Sequence, residues 1–330
     1  MEEIRKDMLL KDWLDIWYET YAIPFVKKST QVSYECYIRL HIKPHIGDIR
    51  LCDLNAIVLQ QFFNYQYERG SCKGTTLSPK TLLNMRMMIH EAIGEAVKNN
   101  LIDCNYVEYV KLPKQQKEER RVLTHDEQTR LLNTLKASDD PFAFGVFLCL
   151  TTGIRIGELC GLYWSDFKTS GNLTTMRIKR TLNRIPNLKS GKGTIINISA
   201  PKSQAALREI PLEEGILQFL EQYRLKQLAL IGAHHTYGDQ FVLSRIPGQP
   251  IEPKFMQNRF KKFLKDASIS DASFHSLRHT FATRALECGI DYKTLSVLLG
   301  HADVTTTMNL YQHVLIEQKK DAMRKIMQQF

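Results

Sequence analysis

Apolar residues recur at helical spacing through the first 110 residues of the chain and change to alternation in only one later region. In LLKDWLDIWYETY, Leu10, Trp13, Leu14 and Trp17 share one face of a 3.6-residue repeat, which predicts a helix with its stripe in a core. A second helix is predicted from about Thr30 to His41, and a third follows Asp53 as N-cap through AIVLQQFFNYQYER to Gly70. The fourth starts most cleanly. Ser78 is its N-cap and Pro79 its first residue, a place where the missing N–H has no helical partner to lose. Leu82, Met85, Met88, Ile89 and Ile93 then repeat on one face, and this Met-rich pattern reads as packing.

Residues 111–121, KLPKQQKEERR, hold five basic and two acidic residues, one proline and no apolar period, which is linker composition. Thr124 and Glu127 then form a capping-box signature ahead of QTRLLNTL, the start of a new helix and a new domain. FAFGVFLCLTTGIRIGELCGL predicts a buried helix, a turn at Gly153 that carries Arg155, and a second helix from near Ile156 or Gly157. Alternation appears in TTMRIKRTL, TIINISA and ALREIPL, with PKSQA as the turn of a hairpin between the last two. FHSLRHTFATRALECGI opens another helix, with His275 and Arg278 three apart on one face. In the terminal VLIEQKKDAMRKIMQQF, Met323, Ile326, Met327 and Phe330 share a helical face. The expected organisation is therefore a helical domain over 1–110, a basic linker over 111–121, and a second domain with a tail helix over 122–330.

Composition adds a partner class. The chain has 45 Lys plus Arg against 35 Asp plus Glu, a formal charge of +10, which favours a polyanion. Neutralising roughly ten phosphates would give a log-log salt slope of about −9. Lys28, Lys73, Lys80 and Arg86 are phosphate candidates in the helical region, with a solvated helix face the commoner reading of any one of them. No run approaches the roughly 18 apolar residues of a membrane span, and MEEIRKDMLL has no signal-peptide pattern, so the expectation is a soluble cytoplasmic protein without membrane contact. Seven scattered cysteines without a C-x-x-C pair read as reduced thiols.

The candidate chemistry lies in the second half: Arg155, Lys202, His275, Arg278, His301 and Tyr311, in that order. A phosphodiester attacked in line gathers negative charge on its non-bridging oxygens, and two arginines answer this with planar forks that stay charged. Tyr311 would be the nucleophile. With an unperturbed pKa of about 10, a tyrosine hydroxyl needs nearby positive charge or a base such as His275. Lys202 would give a proton to the leaving 5′ oxygen, with Lys189 and Lys192 as nearby alternatives. Tyr292 is the rival nucleophile, Glu158 is read as an orienter of Arg155, and His279 and His313 as structural. No carboxylate cluster suggests a metal, so none is expected, nor a cofactor.

The blocks T-G-x-R-x-G-E-x-x-x-L-x-W-x-D around Arg155, P-K-S-x-x-x-x-R-x-I-P-L around Lys202, H-x-x-R-H-T-F-A-T, L-G-H and the late Tyr311 resemble the tyrosine recombinase, or phage integrase, family in order and spacing. The resemblance implies a mainly α fold with a small β-sheet: a helical, SAM-like core-binding domain followed by an α/β-hairpin catalytic domain. It implies a site-specific recombinase acting through a 3′-phosphotyrosyl intermediate without ATP, on double-stranded DNA, as a homo-tetramer. An excisionase or a host DNA-bending protein belongs to the partners such an enzyme admits. The alternatives are a type IB topoisomerase-like relaxing enzyme and a DNA-binding regulator with a vestigial site. In the helical block the family commonly has Asn-Pro where this chain has Asn105-Tyr106.

Overall fold

In a computed structural model, which describes residues 5–71, 75–114, 121–188, 192–201, 203–232, 236–310, 323–324 and 326–328, the first predicted stripe is buried. Leu10, Trp13, Leu14 and Trp17 line the inner face of α1 (Leu10–Trp17), and each such side chain contributes about 1.5–3 kcal/mol on leaving water. α2 (Lys28–Tyr37) starts earlier than its pattern suggested and runs through a π-helical turn, Ile38–Ile42, into α3 (Lys43–Ile46). α4 (Ala56–Arg69) is capped by Asn55, whose Oδ1 accepts from the N–H groups of Ile57 and Val58 at 3.0 Å. This corrects the expectation of Asp53 as cap. Asp53 ends a 3-10 turn, and its carboxylate takes the Arg50 guanidinium at 2.7 Å. α5 (Pro79–Lys98) begins as predicted, with Ser78 Oγ accepting from Thr81 N–H at 3.1 Å. Its buried face meets α1, and Trp13 Nε1 donates to the Ala92 carbonyl at 2.9 Å. Arg86, a phosphate candidate, donates one Nη1 hydrogen bond to the Val110 carbonyl at 3.1 Å, and Lys73 lies outside the described residues.

The chain divides into two compact units, residues 1–118 with 185–193 and residues 119–184 with 194–330. The second unit opens at α6 (His125–Ala137), where the Thr124 and Glu127 capping box is complete. α7 (Ala143–Thr152) is buried nearly all round, as its continuous apolar sequence requires. Gly153 ends it at φ +68°, and a Cβ there would strike the Phe281 ring. α8 (Ile156–Cys160) follows directly.

The strands are β1 (Phe167–Ser170), β2 (Leu173–Ile178), β3 (Thr181–Pro186), β4 (Thr194–Ser199) and β5 (Arg208–Leu212). Two expectations change here. TTMRIKRTL is two strands rather than one, and β4 and β5 are not a hairpin: β4 pairs with β3 as a ribbon, while β5 pairs antiparallel with β2 in the sheet β1-β2-β5. Alternation marks a strand but carries no information about its partner. The remaining elements are α9 (Glu214–Ile231), β6 (Ser244–Ile246), β7 (Gln249–Pro250), α10 (Pro253–Asp266), α11 (His275–Glu287), α12 (Tyr292–Leu299) and α13 (Val304–Leu310). In the tail, Met323, Ile326 and Met327 are helical and exposed, and Phe330 lies outside the described residues. Among the described residues no helix is long and apolar enough to cross a membrane.

Candidate active site

Three of the six candidate residues meet around one turn, Leu299–Gly300–His301, at the end of α12. Arg278, on the first turn of α11, is 3% exposed. Its Nη1 donates to the Gly153 carbonyl at 2.7 Å, and its Nη2 to the Leu299 carbonyl at 2.7 Å. The left-handed Gly153 that stops α7 thus also supplies an acceptor to this guanidinium. Arg155 approaches the same turn from the start of α8, reaching the Leu299 and Gly300 carbonyls at 3.4 Å. Its side chain is 37% exposed, so its guanidinium is open to a ligand where that of Arg278 is enclosed.

His301 joins them through both ring nitrogens. Nε2 lies 2.8 Å from Arg278 Nη2, and Nδ1 lies 2.7 Å from Thr307 Oγ1 on α13. A guanidinium can only donate, so Nε2 accepts, and the ring proton sits on Nδ1 and is donated to Thr307. Burial, then the charges of Arg278, Arg155 and Arg208, push the His301 pKa down to about 4. The imidazole is neutral near pH 7, and its lone pair holds the Arg278 fork.

Glu158 lies beneath Arg155 and is 3% exposed. Its Oε1 accepts from Arg155 Nη1 at 2.8 Å, and its Oε2 from the Arg155 backbone N–H at 3.0 Å. Burial alone would raise this carboxyl, but the hydrogen bonds and charge of Arg208, then the charge and backbone N–H of Arg155, bring it below its ordinary value. It is a carboxylate that orients Arg155, in line with the sequence reading.

His275 is exposed at the start of α11, its ring 4.6 Å from that of buried His279 in an edge-to-face contact. It shares a cavity of about 160 Å³ with Arg278, Ser273 and Gln257. Lys202, Lys189, Tyr311 and His313 lie outside the described residues. The rival nucleophile Tyr292 sits at the start of α12 against the cluster of Ala282, Leu286 and Leu295. Its hydroxyl is buried, and burial raises its pKa, both unfavourable for attack on a polymer.

Two residues at the site were given no role in the sequence reading. Thr307 fixes the His301 tautomer, and Arg208 pairs with Glu158 from β5. Arg208 did leave a signal: in R-E-I-P-L it shares the inward phase with Ile210 and Leu212, a charge where alternation calls for an apolar residue.

Residues 121–318 match the phage integrase family, and residues 9–67 match the phage integrase N-terminal SAM-like domain. A tyrosine recombinase XerC-like protein of Caldanaerobacter subterraneus is 26% identical, over 97% of this chain and 83% of its own length. The ICEBs1 integrase of Bacillus subtilis is 23% identical, over 86% of this chain and 75% of its own. Among solved structures, the Tn1549 transposon integrase in complex with a circular-intermediate DNA superposes with a TM-score of 0.78 at 21% identity, covering 97% of this chain and 99% of that one. A lambda integrase tetramer bound to a Holliday junction gives 0.64 at 22% identity, over 92% of this chain and 77% of that one. The protein belongs to the phage integrase family, the tyrosine recombinases, which cleave and rejoin DNA.

Proposed function

We propose that this protein is a site-specific DNA recombinase that cleaves through Tyr311. The observation that carries the reading is the convergence of Arg155, Arg278 and His301 on one turn, with the Arg155 guanidinium left accessible. The Tyr311 oxygen attacks the scissile phosphorus, and the bond to the 5′ oxygen breaks. His275 takes the phenolic proton, and Lys202 gives one to the departing oxygen. Arg155 and Arg278 stabilise the charge on the non-bridging oxygens, with His301 holding the Arg278 fork. The freed 5′ hydroxyl of one strand then attacks the phosphotyrosine of its partner, regenerating tyrosine and conserving the bond energy. The intact polar frame around Arg155 favours an enzyme over a regulator with a vestigial site.

The helical region 1–110 serves as a core-type DNA-binding domain, 111–121 as a basic linker, and 122–330 as the catalytic domain. Two duplexes require four active sites, so the working form is a tetramer on DNA, open to an excisionase or a host DNA-bending protein. The solved lambda integrase tetramer on a Holliday junction is a precedent. The exposed Met323, Ile326 and Met327 suit docking of the tail on a neighbouring copy. A nicked suicide substrate tests the proposal: wild type accumulates a covalent protein-DNA adduct, undiminished by exhaustive chelation and strongly reduced by salt. Adduct that vanishes with EDTA and returns with a divalent ion would contradict it.

A further inference from the structure

Arg208 joins the site from β5, through Glu158 and the end of α12. It lies on β5 with its side chain 3% exposed, and it is not part of the lining of the cavity that Arg278 shares with His275. Its donors are instead spent on the frame. Nε donates to the Leu298 carbonyl at 2.6 Å, Nη1 to the Ala206 carbonyl at 3.0 Å and to Glu158 Oε1 at 3.2 Å, and Nη2 to Glu158 Oε2 at 2.8 Å. One buried guanidinium therefore ties together β5, the start of α8 below Arg155, and the end of α12 just before His301. Gly300 is shaped to it. At φ +66°, a Cβ on Gly300 would lie 2.8 Å from Arg208 Nη1 and 3.1 Å from Ala206 Cα.

The charge balance gives this geometry a consequence. Glu158 contributes −1 and touches both Arg155 and Arg208, so the three groups sum to +1; Arg155 and Glu158 alone would sum to zero. Arg208 thus neutralises the carboxylate that orients Arg155, leaving the charge of Arg155 for an anion. Lysine would keep the charge but lose the fork. Its three donors diverge from one nitrogen and cannot span both Glu158 oxygens and the Leu298 carbonyl together.

We propose that Arg208 is a positioning residue for DNA cleavage, holding the Arg155 guanidinium, through Glu158, in the arrangement that receives one phosphate. This rests on the assignment of Arg155 to phosphate binding. A double-mutant cycle on the full-length protein tests it, reading the single-turnover rate of adduct formation on a saturating suicide substrate, with duplex affinity and melting temperature measured alongside. Arg208→Lys is expected to slow cleavage at least tenfold with duplex affinity unchanged, and to slow it less than twofold further when added to Arg155→Ala. An equal fold-loss in both backgrounds, or a wild-type rate in Arg208→Lys, overturns the proposal. Should Arg208→Lys not fold, Arg208→Met with Glu158→Gln removes both buried charges and keeps an amide oxygen for Arg155. That pair is expected to melt near wild type and cleave at least tenfold slower, and a wild-type rate overturns the proposal equally. A wild-type rate in Arg155→Ala itself would instead remove the underlying site assignment.

Discussion

The two units of this protein bury different things. In the helical unit the core is Trp13, Phe63, Met85 and their apolar neighbours, and its buried polar side chains among the described residues are His41 and Gln66, bonded to each other at 2.8 Å. The second unit buries Glu158, Arg208, Arg278 and Thr307 around a single turn. Apolar burial is non-directional and stabilising, whereas a buried charge costs several kcal/mol unless it is paired and hydrogen-bonded throughout. The core of the helical unit thus serves stability, while the second unit gives up stability to hold two guanidiniums in fixed positions.

The largest effects should come from the two ends of the catalytic chemistry. Arg155→Ala should slow adduct formation about 10²–10³-fold, the usual cost of one preorganised donor to a transition-state anion, with duplex binding retained. Lys202→Ala should fall by a comparable factor. A 5′-bridging phosphorothioate, whose leaving group needs no acid, should restore Lys202→Ala and leave Arg155→Ala slow. Rescue of both variants, or of neither, would dissolve this division of roles.

Stability measurements test the contrast between units directly. Glu158→Gln leaves Arg208 buried beside an uncharged amide and should destabilise the second unit by about 3–5 kcal/mol. Gln66→Leu strands His41 in the helical core and should cost its unit about 1–3 kcal/mol. Denaturant titrations that rank the two in reverse would remove the claim that charge is concentrated in one unit.

A smaller effect lies in pH. His301 has a folded pKa of about 4 against an ordinary 6.5. The unfolded chain therefore binds this proton first, so its contribution to stability is whole above about 6.5 and declines as pH falls toward about 4. The melting temperature of wild type should fall through this window more steeply than that of His301→Gln, and parallel curves would contradict the neutral, Arg278-bound imidazole. The smallest effect concerns assembly. Deleting residues 318–330 should leave single-site binding intact and raise severalfold the protein concentration needed for synaptic complexes in native gels. Four-protomer complexes at wild-type concentration would mean that the tail folds back on its own chain.

The same contrast governs what was legible in the sequence. Apolar period located α1, and cap and stop residues with it located α4 and α5, because these are local patterns with a local meaning. They misplaced the cap of α4, where Asp53 and Asn55 are both competent cap residues and the backbone of the preceding 3-10 turn decides between them. In the second unit the order of motif blocks drew attention to Arg155, Arg278 and His301, but the contacts of Arg155 with the turn span 144 and 145 positions, and that of Arg278 with Gly153 spans 125. No periodicity records such contacts, so Arg208, though it stands in a motif block, was given no role; Thr307, six positions after His301, was missed because its partner is set by the turn between α12 and α13. The pairing of β5 with β2 across the inserted β3 and β4 was hidden for the same reason: alternation gives a strand its faces and leaves its neighbour open.

The central claim is that this polar frame serves a nucleophile at Tyr311. Its most direct test is peptide mapping, by mass spectrometry, of the covalent adduct trapped on a suicide substrate. The account predicts the nucleotide remnant on the peptide containing Tyr311, with no adduct formed by Tyr311→Phe. A remnant on the peptide containing Tyr292, persisting in Tyr311→Phe, would contradict it.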